Sequence, residues 1–321
     1  MKRYWWILFL LLASQVEAQQ IPQFTQRNLN IFSYNPAFAG VKSHSEILLH
    51  HRSQWTEFEG APITQSVVYH GMLNRIMGFG FSAIRDVIGP ISTMGAKLAY
   101  AHHIDLEIFK WSLGLSGEIY QYGLDGRDLN PHQPGDQALL LELSDKVWRP
   151  EASFGTFIYN EHFFLSYSIL QLLGSTVQLY DDPGIYGTMP LARHHYISAG
   201  YSFSPMSNID VEPSVLWAKA KGSPFQLEVN LNAQYMQMFM LGTSFRWNDA
   251  IALTFGFKVF DRLKMTYSYD IVYSPLRNYQ SGSHELILSY ILPNRSGKWN
   301  RWRHEYQYEF NPKTNRWRER W

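Results

Sequence analysis

The sequence predicts an all-β protein, a transmembrane outer-membrane antiparallel β-barrel of about fourteen strands. Apolar and polar residues alternate with period two through most of the chain, and no amphipathic helix of convincing length appears. Many of the alternating segments also run to roughly 9–11 residues, the length that a tilted strand needs to cross a bilayer.

The alternation is clearest in four segments. In "QLEVNLNAQY" (226–235), Leu and Val occupy one face while Gln, Glu and Asn occupy the other. The segments "FKWSLGLSGEIY" (109–120), "IALTFGFKVF" (251–260) and "MTYSYDI" (265–271) repeat the scheme. Similar segments centre near residues 48, 67, 81, 98, 114, 155, 166, 199, 215, 230, 243, 255, 267 and 288.

Two architectures fit this pattern. A soluble sandwich or barrel would turn the apolar face inward, whereas a membrane barrel turns it toward lipid and keeps small polar groups inside. The Ser, Gly, Asn and Thr residues of the polar face favour the membrane barrel, and so do aromatic residues near segment ends. These aromatics are Tyr69, Tyr100, Tyr120, Tyr159, Trp217, Tyr235, Trp247, Phe260 and Tyr290. The mean hydropathy of −0.25 is compatible, because half of each strand is polar.

The chain divides into four segments. Residues 1–18 have the basic start, apolar core and small-residue end of a signal peptide, which predicts export with cleavage after Ala18. We expect residues 19–40 to form an N-terminal periplasmic segment, residues 41–292 the barrel, and residues 293–321 a basic tail. The chain has 0 cysteines, so neither disulfides nor thiolate metal sites contribute.

The tail is rich in Arg and Trp and carries 8 Lys/Arg against 3 Glu. Its alternation around "NPKTN" predicts a β-hairpin, which we expect on the periplasmic side because it follows the last strand. Arg and Trp are enriched at interface hot spots, so the tail is a candidate partner-binding site. Its candidate residues are Trp299, Arg301, Trp302, Arg303, Arg316, Trp317 and Arg318. The composition also suits anionic headgroups, nucleic acid or a solvated tail, but a net charge of +1 gives no general reason to expect nucleic acid.

No catalytic or metal-binding motif stands out. The pairs at 50–51, 102–103 and 194–195 place adjacent histidines on opposite faces of a strand, so none of the three pairs can chelate a metal alone. "DGRDLN" (125–130) lacks the ligand spacing of a calcium loop, and neither GxSxG nor HExxH occurs. We therefore expect no cofactor, no metal and no enzymatic activity, with a membrane-embedded hydrolase as a remote alternative.

Short motifs occur in order along the chain, and together they are specific. They are "PQFTQ" (22–26), "YNPAFAG" (34–40), "RSQW" (52–55), "FEGAP" (58–62), "GFGFSAIRDVIGP" (78–90), "RPEASFGTFIY" (149–159) and "HELILSY" (284–290). The chain resembles the PorP/SprF family of Bacteroidetes outer-membrane proteins, associated with type IX secretion and gliding motility. The resemblance extends to about Leu292, and the basic tail departs from the family pattern.

The resemblance implies a barrel of about fourteen strands in outer-membrane lipid, without enzymatic activity. It implies an accessory role in type IX secretion, helping to export or anchor adhesin-type cargo. The implied partners are periplasmic secretion components, such as OmpA-like peptidoglycan-binding proteins or lipoproteins. A passive outer-membrane channel for small solutes is the alternative.

The motif residues suggest structural roles. Asn35 and Pro36 predict a turn, and Gly40 a left-handed or tight exit into the first strand. Gly78 and Gly80 are strand glycines, since no helix follows them as a phosphate cradle would require.

Further motif residues mark strand ends. Arg52 and Gln54 share a face, expected to be luminal, and Trp55 lies near the strand end. An inward Arg52 needs a carboxylate partner, for which Asp86 and Glu57 are both candidates. Gly60 and Pro62 predict a turn into the second strand. Asp86, Gly89 and Pro90 are expected where the third strand leaves the barrel.

Overall fold

The computed structural model describes residues 21–42, 44–125, 144–178, 188–293, 308–311 and 316–319. The signal peptide predicted at 1–18 lies outside these residues. The strands are β1 (Glu46–Ser53), β2 (Ile63–Asn74), β3 (Met77–Ile88), β4 (Ile91–Asp105), β5 (Lys110–Asp125), β6 (Ser144–Tyr159), β7 (Phe163–Leu170), β8 (Thr176–Gln178), β9 (Thr188–Pro190), β10 (His194–Tyr201), β11 (Phe203–Met206), β12 (Ile209–Ala220), β13 (Gln226–Tyr235), β14 (Phe239–Arg246), β15 (Ala250–Phe260), β16 (Leu263–Val272), β17 (Ser283–Ile291), β18 (Tyr308–Asn311) and β19 (Arg316–Glu319). Short 3-10 turns span Ile31–Ser33, Pro36–Phe38 and Pro275–Asn278.

The strands close into a 14-strand antiparallel barrel, as predicted. Each barrel strand pairs with the next along the chain, and β1 pairs with β17 from Glu46↔Ile291 to Ser53↔His284 to close the ring. The strands β10 and β11 follow one another along the same edge of β12. The small hairpin of β8 and β9 lies in the connection between β7 and β10. Closure removes the free edges that lipid could not solvate.

The apolar face of the barrel points outward, which confirms the membrane architecture rather than the soluble one. On β15, Ile251, Leu253 and Phe255 are exposed, while Ala252 and Thr254 are buried. Buried serines on other strands line the inside of the barrel. Two aromatics predicted for the lipid interface face inward instead: Tyr120 donates a hydrogen bond to Glu118, and Tyr159 packs against the buried cluster inside the barrel. Within the described residues, no helix is long and apolar enough to cross a membrane.

The two ends of the barrel differ in their connections. At the end where the chain enters β1 and leaves β17, the turns between strands are short, as between β2 and β3 or β15 and β16. The longer connections after β5, β7 and β16 lie at the opposite end. Outer-membrane barrels place short turns in the periplasm and long loops outside. We therefore name the short-turn end the periplasmic end and the other the outer end.

In the tail, β18 and β19 form an antiparallel pair with Phe310 opposite Trp317 and Glu309 opposite Arg318. The pair lies where the sequence predicts a hairpin. Of the seven candidate partner-binding residues, the four at 299 and 301–303 fall outside the described residues. The other three, at 316–318, lie on β19.

Candidate functional site in the barrel lumen

The described residues 21–42 lie inside the barrel, and we call this segment the plug. Its aromatic and aliphatic side chains form the main buried apolar cluster together with inward residues of the strands. Phe32, Ala37 and Ala39 have no exposed surface at all. The sequence predicted a periplasmic segment here, but these residues are packed inside the barrel, against its inner wall. Apolar patterning could not reveal this position, because the plug has no regular period and is buried only by strands that follow it.

The plug runs from the outer end to the periplasmic end. Thr25 contacts Arg52, the penultimate residue of β1, which lies at the outer end of the barrel. Gly40 lies beside Gly78, the second residue of β3 at the periplasmic end. The chain then turns back to enter β1 at the periplasmic end. This reversal uses a left-handed φ of +79° at Gly40, a backbone conformation that glycine adopts without a steric penalty.

A buried network of four charged residues, Arg52, Arg246, Asp270 and Glu285, holds the start of the plug, and we call it the charged clamp. Arg52 Nη2 lies 2.8 Å from Asp270 Oδ2, and Arg52 Nη1 lies 2.8 Å from Glu285 Oε2. Arg246 Nη2 lies 3.3 Å from the same Asp270 oxygen. Each of the four is at most 3% exposed, so these charges are compensated by one another and by two neighbours, Asp249 at 2.7 Å from Arg246 and His50 at 3.0 Å from Glu285.

The clamp binds the plug through Thr25 and Gln26. The backbone amides of these two residues donate to Glu285 at 2.6 and 2.8 Å. Thr25 Oγ1 donates to Asp270 Oδ1 at 2.7 Å and accepts from Arg52 Nη1 at 2.6 Å. These are charge-assisted hydrogen bonds, which are stronger than neutral ones. The clamp therefore fixes the plug at one defined position along the lumen.

Farther down, Asn35 joins the plug to the barrel wall. Its Nδ2 group donates to Ser166 Oγ at 2.7 Å and to the carbonyl of Thr156 at 3.0 Å. Its Oδ1 atom accepts from the amide of Ala37 at 2.9 Å and so caps the 3-10 turn that begins at Pro36. The Asn-Pro pair is thus both a turn and an anchor.

Polar side chains of the wall also form hydrogen bonds with the backbone carbonyls of the plug. Ser112 Oγ donates to Ala37 at 2.7 Å, Lys97 Nζ to Ser33 at 2.9 Å, and His103 Nε2 contacts the carbonyl of Ala39 at 2.9 Å. Tyr34 is buried in the same region, where its hydroxyl lies 3.4 Å from Ser198 Oγ. The inner wall therefore satisfies an irregular backbone that would otherwise carry unpaired groups.

Two strand glycines make room for the plug. A Cβ atom at Gly80 would collide with the ring of Phe32, and one at Gly78 would collide with the carbonyl of Ala39. Both positions have ordinary strand conformations, so the requirement is close approach rather than backbone freedom. The "GFGF" motif thus encodes a docking surface for "YNPAFAG" and the residues before it.

Both candidate partners predicted for Arg52, Asp86 and Glu57, are wrong. Asp86 instead accepts a hydrogen bond from Thr64 at 2.5 Å, and Glu57 contacts Ser281 in the outer loops. The true partners, Asp270 and Glu285, are 218 and 233 residues away in sequence. Only the pairing of β1 with β17 and of β17 with β16 brings them together. Acidic residues at luminal positions of two late strands were the signal that could have found them.

The remaining motif residues lie at the outer end, in turns rather than in the clamp. Gln54 N donates to the carbonyl of Pro62 at 2.9 Å, and Trp55 N donates to Ser283 Oγ at 3.1 Å. Gly89 N donates to the carbonyl of Gly60 at 2.9 Å and so ties two connections together. Pro90 accepts from Asp125 N at 2.9 Å. In the described part of the chain, no group of three or more His, Asp or Glu side chains is arranged to hold a metal ion.

A closed barrel with an apolar exterior and a polar lumen filled by its own N-terminal segment defines an outer-membrane barrel protein. The sequence matches the family model described as type IX secretion system membrane protein PorP/SprF over residues 16–290. The chain belongs to this family. No curated protein matches it significantly.

Solved barrels are similar only distantly. KdgM porin shares 7% identity, with 77% of this chain and 99% of that chain covered and a TM-score of 0.39. A FadL homologue of Pseudomonas aeruginosa shares 11%, with 84% and 93% covered and a TM-score of 0.43. The translocator domain of autotransporter NalP from Neisseria meningitidis shares 10%, with 84% and 94% covered and a TM-score of 0.45. Likenesses at these values carry no functional information.

Proposed function

We propose that this protein is a non-enzymatic accessory component of type IX secretion, which helps to export or anchor adhesin-type cargo at the cell surface. The observation that carries the proposal is the plug, in a member of a secretion-system membrane family. A barrel filled by its own chain offers its two ends as binding surfaces and does not need an open lumen. We infer that it acts as a membrane scaffold.

The partners we propose are periplasmic secretion components, such as an OmpA-like peptidoglycan-binding protein or a lipoprotein, and the adhesin cargo. Support comes from the basic tail, which follows the strand that ends at the periplasmic end. Arg and Trp side chains there supply the residue types on which interfaces depend. No nucleic acid is needed for this role.

A passive channel for small solutes is the less favoured function, because the plug occupies the lumen through which solutes would pass. Hydrogen bonds from the clamp, from Asn35 and from wall residues hold the plug along the lumen. Opening a pore would break these contacts and expose buried charges.

The proposal is tested by deleting the gene and measuring adhesins on the cell surface by proteolysis and mass spectrometry. We expect surface adhesins to be lost or reduced and to return when the wild-type gene is restored. A deletion strain that displays every adhesin normally would contradict the proposal.

The channel is tested with purified protein in planar bilayers, where we expect wild type to be electrically silent. Steady single-channel conductance by wild type would favour the channel instead.

A further inference from the structure

The lipid-facing surface carries one polar row near the outer end. His51, Gln65 and Arg85 lie on β1, β2 and β3 and point outward with the exposed side chains of these strands. The register places His51 opposite Gln65 and Gln65 opposite Arg85, so the three are direct neighbours across strands. We call them the lipid-facing row. Nothing in the plug or the clamp explains them, since they lie on the other side of the wall.

Arg85 has no partner among the residues that the structure describes. It makes no hydrogen bond or ion pair with any residue in the described part of the chain, and its side chain is exposed. An arginine on the lipid face costs about 2–4 kcal/mol at the bilayer midplane and about 0–1 kcal/mol near the interface. Lys219, another outward cation near the outer end, differs because its ammonium donates to the carbonyl of Ser223. Arg85 therefore has a charge that the described protein does not neutralise.

An apolar groove opens beside this row. It encloses about 410 Å³ and is lined by Leu49, Val67, Ala83 and Leu288, with the lipid-facing row at its rim. The small side chain of Ala83 lies opposite another alanine, Ala96, which leaves a depression between larger neighbours. Among the described residues that line the groove, none is acidic. The groove is thus a slot for hydrocarbon with a cation and two hydrogen-bonding groups at one end.

The row also lies at the depth of lipid headgroups. His51 and Gln65 are each two residues from the outer end of their strand, and Arg85 is three residues from its end. With a rise of about 3.3 Å per residue and a tilt of about 40°, this is roughly 5–8 Å below the rim. A headgroup at the outer interface would meet the row while its acyl chain extends down the groove.

We propose that this groove binds a phosphate-bearing lipid of the outer leaflet. Arg85 pairs with the phosphate oxygens, since the planar guanidinium suits bidentate phosphate contacts. The amide of Gln65 and the imidazole of His51 supply further hydrogen bonds. One acyl chain packs along Leu49, Val67, Ala83 and Leu288. The site would fix the barrel's position relative to phosphorylated lipid, independently of any secretion partner.

The experiment measures lipid bound to the full-length purified protein by native mass spectrometry in a neutral detergent. The probes are phosphatidic acid, diacylglycerol with the same acyl chains, and inorganic phosphate. We expect wild type to retain phosphatidic acid but not diacylglycerol, and inorganic phosphate at equal concentration not to displace it. Arg85→Gln should weaken phosphatidic acid binding by about tenfold or more, as loss of a charge-assisted pair does.

Two further variants separate the site from general effects. Lys219→Gln removes an outward cation at the same end and should leave binding unchanged. Ala83→Leu keeps every charge but fills the groove, and it should weaken binding as Arg85→Gln does. All variants are first shown to be folded by their heat-dependent shift on gels. Equal binding by wild type and Arg85→Gln, or an equal loss with Lys219→Gln, would overturn the proposal and leave the groove to a protein partner.

Discussion

At the scale of single residues, the clamp places two cations and two carboxylates in contact inside the barrel. Arg52 neutralises Asp270 and Glu285 at the same time, and all three are at most 1% exposed. Replacing both members of a buried pair with apolar groups can be neutral, but removing one leaves charge without compensation. The clamp should therefore respond strongly to single substitutions at Arg52.

We expect Arg52→Met to destabilise the folded barrel by about 3–5 kcal/mol, because Asp270 and Glu285 lose the cation that they share and Asp270 keeps only the longer 3.3 Å contact with Arg246. The measurement is urea unfolding in detergent, followed by tryptophan fluorescence. Lys258→Met is the matched control, since its only described ion pair is 4.0 Å long and exposed, and it should change stability by less than about 1 kcal/mol. Equal stability of Arg52→Met and wild type would show that the clamp is not formed.

The fit between Gly80 and Phe32 gives a second prediction at this scale. Gly80→Leu should displace the plug, because the new side chain would occupy the position of the Phe32 ring. Overpacking of this kind costs roughly 1–3 kcal/mol or more. The readout is limited trypsin digestion, which should cut after Arg27 in the variant and not in wild type, where Arg27 is buried.

Two variants control that result. Gly117→Leu adds the same side chain at an outward strand glycine with nothing within 4 Å, and it should remain protected. Adding Phe32→Ala to Gly80→Leu should restore protection by making room again. Protection of Gly80→Leu alone would indicate that the plug does not pack on this strand.

At the scale of elements, the barrel and the tail are separable. The ring closes through β1 and β17, whose pairing ends at Glu46↔Ile291, and every barrel strand has both neighbours without β18 or β19. The tail hairpin pairs only within itself among the described strands. Closure of the barrel should therefore not depend on the tail.

We expect truncation after Leu292 to leave the barrel folded, with its heat-dependent shift on gels intact. The same variant should lose part of its co-purification with periplasmic secretion components. Truncation after Gly282, which also removes β17, serves as the control and should abolish the shift because the ring can no longer close. If the shorter truncation also abolished it, the tail would belong to the barrel fold.

At the scale of the whole molecule, alternation predicted the fold because it records directly which face of a strand meets lipid. Every predicted segment centre falls within a barrel strand. The strands β5 and β6 are each 16 residues long and extend beyond the roughly 9–11 residues that a bilayer requires, because no lipid imposes a limit or an alternation outside the membrane. The clamp was not predicted from the sequence, for a different reason. Its members share no local pattern and meet only after the barrel closes, whereas the turns at Gly60 and Gly89 were readable from local chemistry.

The assignment of the two barrel ends gives the last prediction. The chain has 0 cysteines, so single cysteines introduced at exposed turns report their side of the membrane without background. Glu59 lies in the connection after β1 at the outer end, and Asp261 in the turn between β15 and β16 at the periplasmic end. A membrane-impermeant maleimide added to intact cells should label Glu59→Cys and leave Asp261→Cys unlabelled, while both should react after the outer membrane is permeabilised. The reverse pattern in intact cells would place the short turns outside. It would also invert the direction in which the plug crosses the membrane and move the lipid-facing row to the inner leaflet.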